Sequence, residues 1–340
     1  MKNLKRFIIP IFIPHAGCPH RCLFCDQQAI TSAGTVKLTA KHIAETVKSY
    51  TDTRPDWDRD IELAFFGGSF TSLPMKRQLD LLKIGGELID AGLIDALRVS
   101  TRPDAISEKV LGFLTEYGVR TIELGIQSMS DHVLELSQRG HTADDTRNAA
   151  SLIKGRGFDL IAQIMPGLPG DDEETIMATA DEVVRLSPDG ARIYPAVVIQ
   201  DTDMERLYRE GEYVPLSLDE TVRITGRIVR LFQDHDIPII RIGLSHSKEL
   251  EKRVVAGPYH ESLGALVMEG MMAERIESLV GSLKHIPDPL VIRVHPRLVG
   301  AAVGGNKRTI RKLEKTHNLN RVKITGDQFL TEEEIVIENL

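Results

Sequence analysis

Short apolar runs alternate along most of the chain with stretches whose apolar positions repeat at helical spacing. The runs predict strands at Phe7–Ile13, Ile61–Phe66, Leu97–Thr101, Thr121–Gln127, Leu160–Met165 and Ala191–Val197. The stretches between them predict amphipathic helices at Leu38–Tyr50, Lys76–Ala91, Glu108–Tyr117, Ala143–Lys154 and Glu173–Leu186. Thr39 reads as the cap of the first helix, and Asp171-Asp172-Glu173-Glu174 places acids on the first turn of the last. Six strand-then-helix units imply parallel strands with crossover helices, hence an α/β barrel, complete or partial, whose chemistry belongs at the C-terminal strand ends. Past Val197 the pattern changes to a helix at Leu218–His235, a strand at Ile237–Ile242 and a long helix at Ser262–Leu283. Pro287-Asp288-Pro289 reads as a boundary. The expected domains are a barrel over 1–245, a helical extension over 246–286 and a small α/β domain over 287–340.

Composition adds little to this picture, since 42% apolar and 27% charged residues is ordinary for a soluble globular protein. The apolar stretch Phe7–Pro14 is interrupted by Pro10, is too short to span a bilayer and has no small-residue cleavage site. No membrane association and a cytoplasmic location are therefore expected. Charge is more informative. Against an overall −7, the segment Lys284–Lys323 holds ten Lys and Arg and two Asp and Glu, a net +8. A basic segment on an acidic body suggests an anionic partner at one end, although a solvated basic face has the same signature.

All three cysteines fall within eight residues, in Cys18-Pro19-His20-Arg21-Cys22-Leu23-Phe24-Cys25, directly after the first predicted strand. That arithmetic excludes a disulfide framework and points to a metal site. A C-x3-C-x2-C loop can hold three irons of a cubane cluster, leaving the fourth without a cysteine. The alternative is a Cys3His zinc site completed by His15 or His20.

At this motif the chain resembles the radical S-adenosylmethionine superfamily. The likeness continues in Phe65-Phe66-Gly67-Gly68-Ser69-Phe70-Thr71, Glu123-Leu124-Gly125-Ile126-Gln127-Ser128 and Gln138-Arg139-Gly140-His141-Thr142. It implies a partial (β/α)6 TIM-like barrel binding a 4Fe-4S cluster and S-adenosyl-L-methionine. Cys18, Cys22 and Cys25 would be the cluster ligands, with Phe24, Gly67, Gly68, Thr71, Gln127, Arg139 and Gln163 around the cofactor. Gly67 and Gly68 suit close backbone approach, and Arg139 suits a carboxylate. Each also has a plain structural reading as turn or packing. An electron donor such as ferredoxin or flavodoxin is implied as well.

Met165–Gly170, Arg192–Ile199 and Arg241-Ile242-Gly243 bring the likeness nearer to the catalytic subunit of elongator, over about residues 7–245. That branch modifies wobble uridine in tRNA and carries an acetyltransferase domain, for which a chain ending at Leu340 leaves no room. A radical step on tRNA or another RNA base is what carries over.

In the C-terminal segment, a strand over Leu290–Pro296, a helical Arg297–Val303, the loop Gly304-Gly305-Asn306-Lys307, a helix Arg308–Thr316 and a strand Arg321–Ile324 resemble a KH-type RNA-binding module. Gly304, Gly305, Lys307, Arg308 and Arg311 are its candidate RNA contacts. Lys307 stands where the second glycine of that module's loop belongs, and a small cap on the barrel fits the same order. Tyr194, His246, Tyr259 and His260 read as packing or surface residues. Two other functions stay open: radical chemistry on a small metabolite, as in the coproporphyrinogen oxidase branch, and a zinc-containing RNA-binding protein without catalysis.

Overall fold

The computed structural model describes residues 6–13, 17–18, 21–26, 38–53 and 60–338. The chain forms two compact units, Met1–Ser217 with Ile228–Glu261, and Leu218–Arg227 with Ser262–Leu340.

The first unit is built on β1 (Phe7–Phe12), α1 (Ala40–Asp52), β2 (Ile61–Phe66), α2 (Met75–Asp90), β3 (Ala96–Thr101), α3 (Glu108–Glu116) and β4 (Val119–Gln127). It continues with α4 (Asp131–Leu136), α5 (Ala143–Gly155), β5 (Asp159–Ile164), α6 (Glu173–Arg185) and β6 (Gly190–Ile193). Then come β7 (Val198–Ile199), α7 (Asp203–Glu210), α8 (Leu218–Asp234, of which the part from Ile228 belongs to this unit), β8 (Ile239–Ile242), α9 (Lys248–Arg253) and β9 (Val254–Ala256). Strands β1 to β6 and β8 make one parallel sheet in the order β1-β2-β3-β4-β5-β6-β8. β1 and β8 are its two edges, so the sheet curls into a partial barrel rather than closing.

The helices begin where the sequence chemistry places them. Thr39 accepts from the backbone N–H of His42 at the start of α1. Reciprocal capping boxes open α5 (Thr142 with Asp145) and α6 (Asp172 with Thr175). Gly85 lets α2 approach β3, since a Cβ there would lie 2.5 Å from the Leu97 side chain.

Three expectations are corrected. The barrel was expected to have six strands: β8, over the expected strand Ile237–Ile242, pairs with β6 as a seventh. The run Ala191–Val197 is not one strand. Strand β6 stops at Ile193, before Pro195, and β7, just past the run, pairs antiparallel with β9 rather than with the main sheet. A proline cannot donate to a ladder, which favours the break at that point.

The second unit contains α10 (Leu263–Gly281), β10 (Leu290–Val294), α11 (Val299–Val303), α12 (Arg308–Thr316), β11 (Val322–Gly326) and β12 (Ile335–Ile337). β10 is central, parallel to β11 and antiparallel to β12. Met272, Ile276 and Val280 of α10 share one buried cluster with Leu290, Ile292, Val294, Ala302, Leu313 and Ile324. The third correction follows from that cluster: α10 belongs to the C-terminal sheet rather than to a separate extension over 246–286, and residues up to Glu261 cluster with the barrel. Among the described residues no helix is long and apolar enough to cross a membrane.

Candidate functional site

The C-terminal ends of the parallel strands open on one cavity of about 710 Å3, within the range of small-molecule sites. Cys18, Cys22 and Cys25 all line it, together with Phe24, Gly67, Gly68, Gln127, Arg139 and Gln163. Residues spread over 146 positions of sequence thus meet on one wall, because each follows a strand of the same sheet.

The cysteine loop is held from several sides. Ile13 extends the β1 ladder by donating to the Phe66 carbonyl at 2.7 Å. Leu23 donates to Ser137, Met204 donates to the Leu23 carbonyl at 2.9 Å, and Asp26 pairs with Arg253 at 2.7 Å. Leu23 and Phe24 are buried among Val133, Leu168, Met204 and Tyr213. Gly17 has a φ of +76°, and a Cβ there would lie 2.2 Å from the Ser69 carbonyl oxygen. The loop therefore rests directly on the glycine turn after β2.

In that turn Gly67 is left-handed at φ +87°, and Ser69 bonds Thr101 and Ser72, each at 3.1 Å. Thr71 departs from expectation. It does not line the cavity, because the short helical turn Phe70–Ser72 directs its hydroxyl to Thr101, 2.5 Å away. Thr101 is the residue on the wall.

At the end of β4 the ladder to β5 shifts between Gly125 and Gln127, and Gln127 takes a left-handed φ of +68°. A non-glycine residue held there marks strain of the kind that collects at working sites. Gln163 donates to the Gln127 side chain at 3.3 Å, so the two glutamines form a pair. Gly125 makes room for it: a Cβ would lie 2.8 Å from Arg139 Nη2 and 2.9 Å from Gln127 Nε2.

Arg139 is 8% exposed and donates to Cys22 Sγ at 3.3 Å and to the Gly125 carbonyl at 2.6 Å. Arg102, at the end of β3, is 2% exposed, forks onto Asp104 and donates to the Arg139 carbonyl at 2.5 Å. Burial, then the positive Arg139 and Arg102, push His141 down to about 3, so its imidazole is neutral. Desolvation raises the Cys18 thiol, while the Ser69 backbone and both arginines work in the opposite sense.

Deeper in the lumen, Arg98 bridges Glu62 (2.7 Å) and Glu123 (2.6 Å), and Arg192 donates to Glu123 at 3.0 Å and to the Tyr194 hydroxyl at 3.1 Å. Burial works against the Arg192 charge, but Glu123 more than offsets this and keeps it firmly protonated. Tyr194 and His246 were expected to pack or face solvent, yet both line the cavity. Burial pushes the Tyr194 phenol up. His246 Nδ1 lies 3.0 Å from the Tyr259 hydroxyl. Arg102, Gly17, Gly125 and the ion network were not singled out from sequence.

The donor set fits an iron–sulfur cluster with an open iron. Three thiols share the wall, the sequence has no fourth cysteine, and buried guanidinium N–H groups on the same cavity (Arg102 Nη1 and Arg139 Nε) have no partner among the described residues. Such donors suit an anion. Among the described residues no three His, Cys, Asp or Glu, the cysteines included, are grouped as ligands of a single metal ion, and His15 and His20, the candidates for a zinc ligand, lie outside those residues.

This site and barrel are those of a radical enzyme, and the chain belongs to the radical SAM superfamily, which it matches over residues 12–183. A Radical_SAM C-terminal domain follows over residues 188–273. The superfamily's 4Fe-4S cluster and S-adenosylmethionine are its cofactors. Its relatives are elongator-like. A tRNA uridine(34) acetyltransferase of Methanocaldococcus jannaschii is 28% identical over 255 residues, 64% of this chain and 47% of that protein. Elongator complex protein 3 of Homo sapiens is 29% identical over 163 residues, 44% of this chain and 30% of that protein. The chain spans about half the length of the tRNA uridine(34) acetyltransferases it matches. In structure it shares the fold of Elp3 from Methanocaldococcus infernus, with a TM-score of 0.63 and 22% identity over 84% of this chain and 69% of that one.

Proposed function

We propose that this radical SAM enzyme binds its cluster through Cys18, Cys22 and Cys25 and acts on a base of tRNA. When bound and reduced, the cluster supplies the electron that breaks a carbon–sulfur bond of S-adenosylmethionine, giving methionine and a 5′-deoxyadenosyl radical. Convergence of the three thiols with Arg139, Gly67, Gly68, Gln127 and Gln163 on one cavity carries the reading. Arg139 would meet the cofactor's carboxylate through Nε, since Nη1 and Nη2 already donate to Cys22 and to the Gly125 carbonyl. The backbone at Gly67 and Gly68 admits the amino group closely, the glutamine pair meets the ribose hydroxyls, and Phe24 supplies an apolar contact. Thr71 acts at one remove, by holding Thr101. A ferredoxin or flavodoxin delivers the electron, and the enzyme works in the cytoplasm.

For tRNA as substrate, the support is the elongator-like relatives and the basic segment Lys284–Lys323 of the second unit. There the loop Gly304–Lys307 joins α11 to α12 in the strand–helix–helix–strand order of a KH-type module, and β12 adds a third strand. The Gly305 amide already donates to the Glu269 carboxylate at 2.9 Å. Phosphate contact therefore falls to Lys307, Arg308 and Arg311 rather than to that amide. The expected results are altered modified nucleosides in bulk tRNA from cells lacking the protein, and tRNA binding that weakens steeply with salt. Lys307→Ala, Arg308→Ala and Arg311→Ala together should flatten that slope. An unchanged nucleoside profile with no tRNA binding at low salt would move the substrate to a small metabolite.

A further inference from the structure

Two buried cations, Arg102 and Arg139, line the cysteine end of the cavity, and one carboxylate, Asp104, pairs with the first. Arg102 forks onto Asp104, whereas the partners of Arg139 are the Cys22 sulfur and the Gly125 carbonyl. Other acids close to the wall are already matched: Glu123 lies between Arg98 and Arg192, and Asp26 pairs with Arg253. Arg102 Nη1 and Arg139 Nε have no partner among the described residues although both are buried. A guanidinium cannot relieve this by losing its proton. The charge is therefore permanent, and away from water it is weakly screened.

We infer that Arg102 is a positioning residue that fixes Arg139 through its backbone carbonyl and supplies positive charge that favours the reduced, more negative state of a cluster held by Cys18, Cys22 and Cys25. The inference rests on the cluster reading above. Its geometric basis is the 2.5 Å bond from Arg102 Nη2 to the Arg139 carbonyl, with the free Nη1 on the same cavity-lining side chain. Asp104 partly neutralises Arg102, and its side chain is 27% exposed. Local charge and hydrogen bonding are among the factors that set cluster potentials.

The test is a redox titration of the reconstituted protein, followed by electron paramagnetic resonance without S-adenosylmethionine, in Arg102→Gln and Asp104→Asn. Iron is counted in each. Removing the cation should move the midpoint potential more negative, and removing its counter-charge should move it more positive. A residue serving only to hold the fold would not give opposite signs. Potentials that stay at the parental value, or move in the same direction, overturn the inference. If Arg102→Gln loses its iron, Asp104→Asn alone decides, since the absence of a positive shift there overturns it. A parent protein that takes up no iron–sulfur cluster removes the underlying reading itself, which distinguishes the two failures.

Discussion

Gly17→Ala tests whether the cysteine loop must lie against the glycine turn after β2. The left-handed φ of +76° costs alanine on the order of 1–2 kcal/mol by itself. The larger effect is steric. The new Cβ would be 2.2 Å from the Ser69 carbonyl oxygen and 2.8 Å from the Leu73 amide, both backbone atoms. Ser69 is tied to Ser72 and Thr101, and Leu73 donates to the Phe70 carbonyl, so neither yields freely. Relief requires the loop to move by about 1 Å, a displacement on the scale that costs roughly 100-fold in a positioned reaction. Gly157→Ala is the control: its φ is +79°, but the space around it is open. Iron and sulfide per chain after anaerobic reconstitution, with 5′-deoxyadenosine formation, provide the assay. Gly157→Ala should lose about 1 kcal/mol of stability and keep both. Gly17→Ala should lose cluster content, turnover or both. Parental cluster content and turnover in Gly17→Ala would refute the reasoning.

Arg98→Met leaves Glu62 and Glu123 buried, but Arg120 and Arg192 still reach them, so the loss belongs near the lower end of the roughly 3–5 kcal/mol seen when buried pairs are broken. Anaerobic urea unfolding measures it, and a change below about 1 kcal/mol contradicts the network's role. Arg139→Ala should spare the cluster yet weaken S-adenosylmethionine binding about tenfold or more, in line with loss of a charge-assisted contact. Unchanged affinity would confine Arg139 to holding Cys22 and Gly125. Burial raises Asp171 to about 6, above the ordinary carboxylate value near 4. The folded state therefore binds this proton more tightly, so its stabilising contribution is complete below about pH 4 and is lost as pH rises through 6. Asp171→Asn should flatten the stability profile in that window, and an unchanged slope between pH 4 and 6 would show that Asp171 is not the titrating group.

The repeating strand–helix units were legible because parallel strands covered on both faces read as short apolar runs. The cysteine spacing was legible because all three residues lie on one loop. What escaped depended on contacts distant in sequence. Gly17 and Gly125 are required by Ser69 and Arg139, which reach them only in the fold. Glu62 and Arg98 are polar residues inside strands, a pattern that ordinarily marks an outward face, yet here they are buried and pair with each other between the adjacent strands β2 and β3. Arg102 follows its strand as an unremarkable charge until Asp104 and the Arg139 carbonyl close around it. The seventh strand lay within the expected barrel over 1–245 but was not counted among its six, because nothing local in Ile237–Ile242 reveals that its neighbour is β6. Thr71 lies off the cavity wall because, within the short helical turn Phe70–Ser72, its hydroxyl bonds Thr101, a contact that sequence alone does not reveal.

The central claim is reductive cleavage of S-adenosylmethionine at a cluster held by the three cysteines. The direct measurement is anaerobic incubation of reconstituted protein with reductant and S-adenosylmethionine, quantifying 5′-deoxyadenosine and methionine beside iron, sulfide and zinc, in the parent and in Cys22→Ala. About four irons per chain and matched amounts of both products are expected in the parent, and loss of both products in the variant. Stoichiometric zinc without iron or sulfide in the parent, or undiminished cleavage in Cys22→Ala, would contradict the account.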